Sequence, residues 1–297
     1  MNAEIRDVLA GLEAEGYIAD APIATAVFLA RGLGKPLLIE GDAGVGKTEL
    51  AKVLSRLLST ELIRLQCYEG LDVQTALYEW DYSRQILRLR IADLRGEAPA
   101  DLEHRIFSRE YLLERPLLKA IAHTGKAPVL LIDEIDRADD GFEAFLLELL
   151  SDFQVTIPEI GTIRAEEPPQ VVLTSNRTRE LGDALRRRCL YLYIEHPSLE
   201  KEVRIIRTRC PEAGERLSRE VGRFLQALRE RPLVKPPGVA ETLDWTRALV
   251  KLRSGALEAE LVSQTLGCLL KDRQDLAAVT PSELASLLSR AQEEAQP

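Results

Sequence analysis

The sequence predicts an α/β protein with a parallel sheet, followed by a smaller, entirely helical domain. Three observations support this prediction. Short apolar segments alternate with helical segments, a glycine-rich loop follows the first apolar segment, and strand signals stop after Pro197. Such alternation is typical of βαβ units, which bring parallel strands into one sheet. We therefore expect an αβα sandwich over residues 1–196 and a helical domain over residues 197–297.

The α/β part is predicted to begin with two helices and to contain five buried strands. Apolar residues at helical spacing predict helices over residues 3–15 and 23–31, and another over Glu49–Leu58. Unbroken apolar runs suit strands that are covered on both faces. The predicted strands are Pro36–Ile39, Leu62–Leu65, Val129–Ile132, Val171–Thr174 and Leu190–Ile194.

The C-terminal part contains only helical signals, which are separated by proline and glycine. The boundary between the two parts is predicted near His196 and Pro197. The predicted helices beyond it cover residues 198–209, 213–229, 238–252, 257–272 and 281–294.

Composition narrows the class of function. The 297 residues carry a net charge of −9, and a negative field repels nucleic acid, so we expect no nucleic-acid substrate. No apolar stretch is long enough to span a bilayer. Four widely spaced cysteines without metal-ligand spacing predict reduced thiols and a cytoplasmic protein.

The glycine loop is the most specific motif in the sequence. It reads Gly41, Asp42, Ala43, Gly44, Val45, Gly46, Lys47 and Thr48. In a loop of this pattern, main-chain N–H groups surround phosphates, Lys47 reaches the β- and γ-phosphates, and the Thr48 hydroxyl binds Mg²⁺. The non-functional alternative is a glycine turn with an incidental lysine, but the position of the motif between a predicted strand and a predicted helix favours ATP binding.

Two carboxylates, Asp133 and Glu134, directly follow the third predicted strand. Carboxylates that leave a parallel strand at its carboxyl end reach the nucleotide side of the sheet. Asp133 is predicted to hold Mg²⁺ through its water shell, and Glu134 to act as general base on the attacking water. The alternative is a pair of acids that favour the dipole of the next helix.

An amide and three arginines complete the candidate site. Asn176 follows the fourth strand and is placed to bind the attacking water or the γ-phosphate, although a lone asparagine there is often a turn residue. Arg186, Arg187 and Arg188 precede the fifth strand. An arginine supplied to a neighbouring subunit stabilises transition-state charge, whereas the alternative is a solvated basic turn.

The order of these motifs resembles MoxR-type AAA+ ATPases, a group of P-loop NTPases. The segment from Lys235 to Trp245 looks most like the CoxD-like branch of that group. The resemblance implies Walker motifs at Gly41–Thr48 and Val129–Glu134, a sensor at Asn176, and an arginine finger at Arg188 or, second, Arg187. It also implies that the backbone of Tyr17 and Ile18 lies near the adenine.

The resemblance further implies a homo-oligomeric ring, usually a hexamer, that acts as a chaperone-like remodeller in metalloenzyme maturation. Such proteins often work with a partner that bears a von Willebrand factor A domain. One departure is that the stretch Gly238–Thr242 lacks the arginine with which many AAA+ proteins begin a lid helix. Arg247 follows nearly two turns later.

Two insertions fit the resemblance. Alternating residues around Pro158–Gly161 predict a hairpin over Phe153–Arg164. Tyr78, Trp80 and Tyr82 are predicted to share one face of a strand, either as core residues or as a surface that contacts a client or a neighbouring subunit.

Two alternative functions stay open at this stage. One is a scaffold that binds ATP and turns it over slowly, and the other is a motor that acts on nucleic acid, which the negative charge disfavours.

Overall fold

The computed structural model describes residues 2–95 and 105–293. The strands are β1 (Leu37–Glu40), β2 (Leu62–Gln66), β3 (Tyr78–Trp80), β4 (Leu112–Glu114), β5 (Val129–Asp133), β6 (Gln154–Ile157), β7 (Gly161–Arg164), β8 (Gln170–Ser175) and β9 (Leu190–Tyr193).

The helices of the first part are α1 (Ala3–Ala14), α2 (Ala21–Leu33), α3 (Lys47–Leu57), α4 (Val73–Leu77), α5 (Tyr82–Arg95), α6 (Pro116–Ile121), α7 (Asp140–Asp152) and α8 (Asp183–Arg188). Those that follow are α9 (Leu199–Arg209), α10 (Gly214–Arg229), α11 (Val239–Lys251), α12 (Ala259–Thr265), α13 (Arg273–Ala278) and α14 (Pro281–Glu293). Across residues 2–95 and 105–293, we find no helix with the length and apolar character that crossing a membrane requires.

The chain divides into two compact units. The sheet unit comprises Met1–Val8, Ala21–Glu40 and Ala51–Leu192. The helical unit comprises Leu9–Asp20, Gly41–Leu50 and Tyr193–Pro297, so it contains the glycine loop as well as the C-terminal helices. The domain boundary near residue 196 stays a prediction.

The sheet unit is built on five strands in the order β2-β5-β8-β1-β9. The pairs β1–β8, β2–β5 and β5–β8 are parallel, and every residue of β1 and β5 is buried. The register sets Glu40 opposite Ser175 and Gln66 opposite Asp133, so these residues share the carboxyl edge of the sheet. The predicted α/β fold with a parallel sheet and a helical C-terminal region is confirmed.

Helix α7 packs into the core of the sheet unit, and its sequence defines both of its ends. The Asp139 side chain caps the first turn by accepting a 2.8 Å hydrogen bond from the Phe142 N–H, and Phe153 ends the helix in a left-handed conformation. Helical spacing then buries Phe142, Leu146 and Leu149 in the core cluster of the sheet unit. Burial of each such side chain contributes roughly 1.5–3 kcal/mol.

The predicted hairpin over Phe153–Arg164 is present. Strands β6 and β7 pair antiparallel, with Ile157 opposite Gly161, and Gly161 has a φ of +96°. A positive φ at the turn is a conformation that glycine adopts without strain.

The prediction that Tyr78, Trp80 and Tyr82 share one strand face is wrong. Strand β3 ends at Trp80, and Tyr82 is the first residue of α5. The chain turns at Asp81, whose carboxylate accepts a 3.0 Å hydrogen bond from the Arg84 N–H and so favours a helix start. Trp80 is buried against Phe107, with ring centroids 5.3 Å apart, whereas Tyr82 is 61% exposed. Trp80 is therefore a core residue.

The helical unit buries its own core around Phe224 and Trp245, whose rings are 5.2 Å apart. The single helix predicted over residues 257–272 is wrong, because α12 ends at Thr265 and a 3-10 turn over Leu266–Cys268 follows it. Gly267 lies in that turn, and glycine weakens a continuing helix. Helix α13 was not predicted from the sequence.

Candidate functional site

The glycine loop runs from the end of β1 into α3, which begins at Lys47. Gly44 and Gly46 have φ of +79° and +100°, where a residue with a Cβ is strained. Alternating backbone conformations of this kind turn successive N–H groups toward one concavity, which suits an anion. The N-terminal end of α3 adds partial positive charge. Loop and helix together therefore form a cradle with the chemistry of a phosphate site.

Lys47 is held within this loop. Its side chain is buried, and its Nζ donates hydrogen bonds of 2.7 Å to the carbonyl oxygens of Gly41 and Asp42. The positive charge is thus fixed at the loop rather than extended into solvent. Thr48 follows in the first turn of α3.

A histidine lies beside the loop. The Nε2 of His196 is 3.2 Å from Oδ2 of Asp42, whose side chain is 64% exposed. Burial lowers the pKa of His196, and the Arg229 guanidinium lowers it further, while Asp42 and Glu202 act in the opposite direction. His196 therefore favours the neutral form near physiological pH.

A cavity of about 260 Å³ opens next to the loop within the helical unit. Gly44 and Gly46 form part of its wall, and its apolar lining includes Tyr17, Ile18, Val45, Ile194, Val239 and Leu243. Tyr17 is buried, and a Cβ on Gly46 would lie 3.8 Å from its ring. Burial raises the pKa of the Tyr17 phenol, and the charges of Asp20 and Glu49 raise it further, so the hydroxyl stays neutral.

The charges around this cavity are balanced. The charged side chains described in its lining are Glu49, Glu195, Asp244, Lys201, Arg209 and Arg247. Arg209 lies 3.3 Å from Glu49, and Arg247 lies 3.2 Å from Asp244. Three acids and three bases give a wall without a net charge, which suits an uncharged flat ring better than a phosphate.

The carboxyl edge of the sheet, in the sheet unit, carries the acidic pair. Asp133 ends β5, and its side chain is 3% exposed. Its Oδ1 accepts a 2.5 Å hydrogen bond from the Thr174 hydroxyl, and its Oδ2 accepts bonds of 2.6 and 3.0 Å from Arg64. Both oxygens are therefore held in place from the neighbouring strands.

Glu134 takes a left-handed conformation, with φ 55° and ψ 50°. A residue other than glycine adopts this region at a cost that the surrounding structure must offset. Its N–H donates a 3.0 Å hydrogen bond to the Thr174 hydroxyl oxygen, and its carboxylate lies 2.7 Å from Nε of Arg137. The Thr174 hydroxyl therefore links the backbone of Glu134 to the carboxylate of Asp133.

Asn176 is anchored by a second buried acid. Asp136 accepts hydrogen bonds from the N–H groups of Asn176 and Thr178, at 3.2 and 2.9 Å, and from the Thr178 hydroxyl at 2.6 Å. Burial alone raises the pKa of Asp136, but these bonds outweigh it, and the pKa lies below its usual value. Asp136 is therefore a stable anion that fixes the chain where it leaves β8.

The three arginines lie on helix α8 and are exposed. Arg188 donates a 2.9 Å hydrogen bond to the carbonyl oxygen of Leu147 in α7. The guanidinium of Arg186 lies 5.7 Å from the ring centre of Tyr191.

Residues 36–189, just over half of the chain, match the family described as AAA domain, dynein-related subfamily. The chain belongs to this family. An uncharacterized protein of Staphylococcus aureus (strain USA300) is 23% identical over 227 residues, which are 74% of this chain and 77% of the relative. Its name assigns no activity.

Two solved structures are similar to this AAA protein at low identity. The RuvB Holliday junction branch migration motor of Thermotoga maritima is 19% identical over 86% of this chain and 68% of its own, with a TM-score of 0.45. A candidate ATPase from Cytophaga hutchinsonii is 14% identical over 97% of this chain and 94% of its own, with a TM-score of 0.49.

Several residues that contact the candidate site residues were not predicted from the sequence. Thr174 and Asp136 contact Asp133 and Asn176 across strands, and Arg64 reaches Asp133 from β2. Their partners are about 40 to 70 residues away in sequence, so no local spacing marks them. Arg209 and Arg247 both line the cavity, but the sequence singles out only Arg247, as a cation on a helix of the predicted helical part.

Proposed function

We propose that this AAA protein hydrolyses ATP. The observation that carries the proposal is the phosphate cradle of the glycine loop, which opens onto a charge-balanced cavity in the same unit. The cradle suits the phosphates, and the apolar walls near Tyr17 and Ile18 suit the adenine. Residues 1–196 serve as the AAA+ core and residues 197–297 as a helical lid.

The donor set also fits Mg²⁺, which prefers hard oxygen ligands and keeps several waters. When bound, the ion neutralises charge that develops on the phosphates. Thr48 offers a hydroxyl for direct binding. Both oxygens of Asp133 already accept hydrogen bonds, which favours a role through water. Lys47 holds the phosphates and the cradle N–H groups orient them.

The remaining roles belong to the sheet edge and to α8. Glu134 takes a proton from the attacking water, and Asn176 orients that water or the γ-phosphate. Arg188, with Arg187 as second choice, reaches the nucleotide of a neighbouring subunit in a homo-oligomeric ring, which we propose is a hexamer.

A pair of substitutions tests this division of labour. Lys47→Ala is expected to abolish ATP binding, whereas Glu134→Gln retains binding and lowers turnover by on the order of 10³. Equilibrium ATP binding and phosphate release measure both. Wild-type turnover in Glu134→Gln would remove the general base from the proposal.

We further place the protein in the MoxR-type group, in its CoxD-like branch, as a cytoplasmic remodeller of a protein client in metalloenzyme maturation. A partner with a von Willebrand factor A domain fits this role. The support is the sequence resemblance, the negative net charge and a set of exposed apolar side chains on helix α5. The residues Tyr82, Ile86, Leu87 and Leu94 are each more than half exposed, and exposed apolar surface is available for protein contacts.

The client proposal has its own test. Glu134→Gln with ATP should hold a specific protein that mass spectrometry identifies, and Lys47→Ala should not. Ile86→Asp on α5 should lose that protein while it keeps ATP binding. Capture that is independent of nucleotide would contradict remodelling.

A scaffold with slow turnover is the second candidate, because the carboxylate of Glu134 is bound to Arg137. A general base that is held in an ion pair is not free to take a proton. If Arg137→Ala raises turnover, the ion pair restrains hydrolysis and the scaffold gains support. Unchanged turnover would favour the remodeller.

A further inference from the structure

The first residues of α11 touch the glycine loop directly, main chain against main chain. The Val239 N–H donates a 2.9 Å hydrogen bond to the carbonyl oxygen of Gly44. A Cβ on Gly238 would lie 2.7 Å from Cα of Gly44 and 2.8 Å from the carbonyl oxygen of Ala43. Real Cβ atoms do not approach other atoms so closely, so only glycine permits this contact.

This contact has a consequence for the phosphate cradle. In a trans peptide, the C=O of one residue and the N–H of the next point in opposite directions. The bond from Val239 fixes the Gly44 carbonyl toward α11, so the N–H of Val45 points away from α11. The loop thus receives one of its N–H orientations from a helix nearly two hundred residues later in the sequence.

The start of α11 is itself held by a buried ion pair. Arg229 of α10 donates through Nε to the carbonyl oxygen of Pro237 at 2.8 Å, and its two terminal nitrogens bind both oxygens of Glu202 at 2.7 and 2.8 Å. The side chains of Arg229 and Glu202 are 8% and 0% exposed. Bidentate, buried pairs of this kind fix geometry strongly, and breaking one partner is costly.

A threonine joins the ion pair to the first turn. The Thr242 hydroxyl lies 2.9 Å from Oε1 of Glu202 and 2.9 Å from the carbonyl oxygen of Gly238. The Glu241 side chain accepts a 2.9 Å hydrogen bond from the Gly238 N–H. Any shift of Gly238 away from the loop would therefore strain several buried bonds at once.

We propose that Arg229 and Glu202 are positioning residues that hold α11 against Gly44 and thereby set the phosphate cradle. The inference rests on the proposed ATP-binding function. The first turn of α11 lacks an arginine, but its main-chain contact with Gly44 couples its position to nucleotide in the cradle. Because coupling is reciprocal, nucleotide in the cradle must in turn stabilise the start of α11.

Gly238→Ala tests the contact while Arg229 and Glu202 both remain in the sequence. Gly238 has φ −87° and ψ −174°, which alanine adopts freely, so only the clash with the loop changes. We expect ADP affinity to fall by about tenfold to a hundredfold, and the thermal midpoint to fall by a few degrees because the new Cβ overpacks a close backbone contact. Gly255→Ala is the matched control, because a Cβ there meets no atom within 4 Å.

Hydrogen exchange supplies a readout that a merely structural role would not move. In the wild type, ADP should slow exchange of the Val239 amide, and this effect should vanish in Gly238→Ala. Arg229→Lys retains the positive charge but loses the planar guanidinium that binds both oxygens of Glu202. It should therefore raise KM for ATP more than it lowers kcat, and Arg229→Gln should have the same effect to a greater degree.

Wild-type ADP affinity in Gly238→Ala, or nucleotide-independent exchange at Val239 in a wild type that binds ADP, would overturn the positioning role alone. A wild type that does not bind nucleotide would overturn the proposed function as well.

Discussion

The glycine loop and the carboxyl edge of the sheet reach their geometry by different means. In the loop, positive φ angles at Gly44 and Gly46 and the carbonyls that hold Lys47 are main-chain features. At the sheet edge, Asp133 and Glu134 depend on the hydroxyl of Thr174 from another strand. The first region is suited to binding and the second to reaction. Changes in the loop should therefore alter affinity, whereas changes at the sheet edge should alter turnover.

The largest expected effect concerns the arginines of α8. Arg188→Ala should bind ATP normally yet lose turnover by on the order of 10³, because a transition-state cation would be missing. Mixing it with Lys47→Ala should restore part of the activity, since each variant supplies what the other lacks at a mixed interface. Phosphate release and ATP affinity check both points.

Arg187→Ala and Arg186→Ala serve as neighbouring controls on the same helix. Loss in Arg187→Ala alone would move the finger by one residue. Weak ATP binding in Arg188→Ala would instead show that α8 contributes to ATP affinity, and this would contradict a role for Arg188 in the transition state alone.

Thr174→Val should have the next largest effect. The substitution retains shape but removes the hydroxyl that joins Asp133 to Glu134. A misplaced catalytic group costs on the order of 10² in rate, so kcat should fall by about that factor while KM for ATP stays within about threefold. Thr156→Val in the β6–β7 hairpin, whose hydroxyl lies 2.9 Å from that of Thr162, is the control. A rise in KM without a fall in kcat would reverse the assignment.

Gly46→Ala tests the expectation that changes in the glycine loop alter affinity. An alanine at φ +100° is strained by about 1–3 kcal/mol, and a loop that relaxes must be strained again when nucleotide binds. ATP affinity should fall by roughly tenfold, with kcat at saturating ATP unchanged. Gly125→Ala at φ +94°, with open space around its Cβ position, should destabilise the fold but leave affinity intact. Equal loss of affinity in both variants would indicate a global effect.

The smallest effect is a pH dependence of stability. Burial lowers the folded-state pKa of His196 below its unfolded value, so the unfolded chain binds the proton more readily. The contribution of neutral His196 is present above the unfolded pKa and is lost as pH falls through the folded pKa. The thermal midpoint of the wild type should therefore fall more steeply below pH 6.5 than that of His196→Gln. Parallel curves would show that His196 is not a buried neutral group.

Much of the fold followed from residues that are close in sequence. The buried strands and the β6–β7 hairpin depend on local apolar runs and turns, and their prediction was confirmed. The glycine loop was also readable, because its conformation depends on the order of glycines within eight residues. The strand predicted to include Tyr82 is absent because the Asp81 side chain caps a helix that begins there.

The contacts that set the geometry of the candidate site were decided by tertiary structure. Thr174 meets Asp133, and Val239 meets Gly44, only after the sheet register and the packing of α11 have brought distant residues together. The sequence by itself determined which chemical groups this AAA protein carries and which local backbone forms they favour. Which carboxylate is held by which hydroxyl, and which carbonyl faces which helix, depended on packing, because hydrogen bonds between distant segments leave no periodic pattern in the chain.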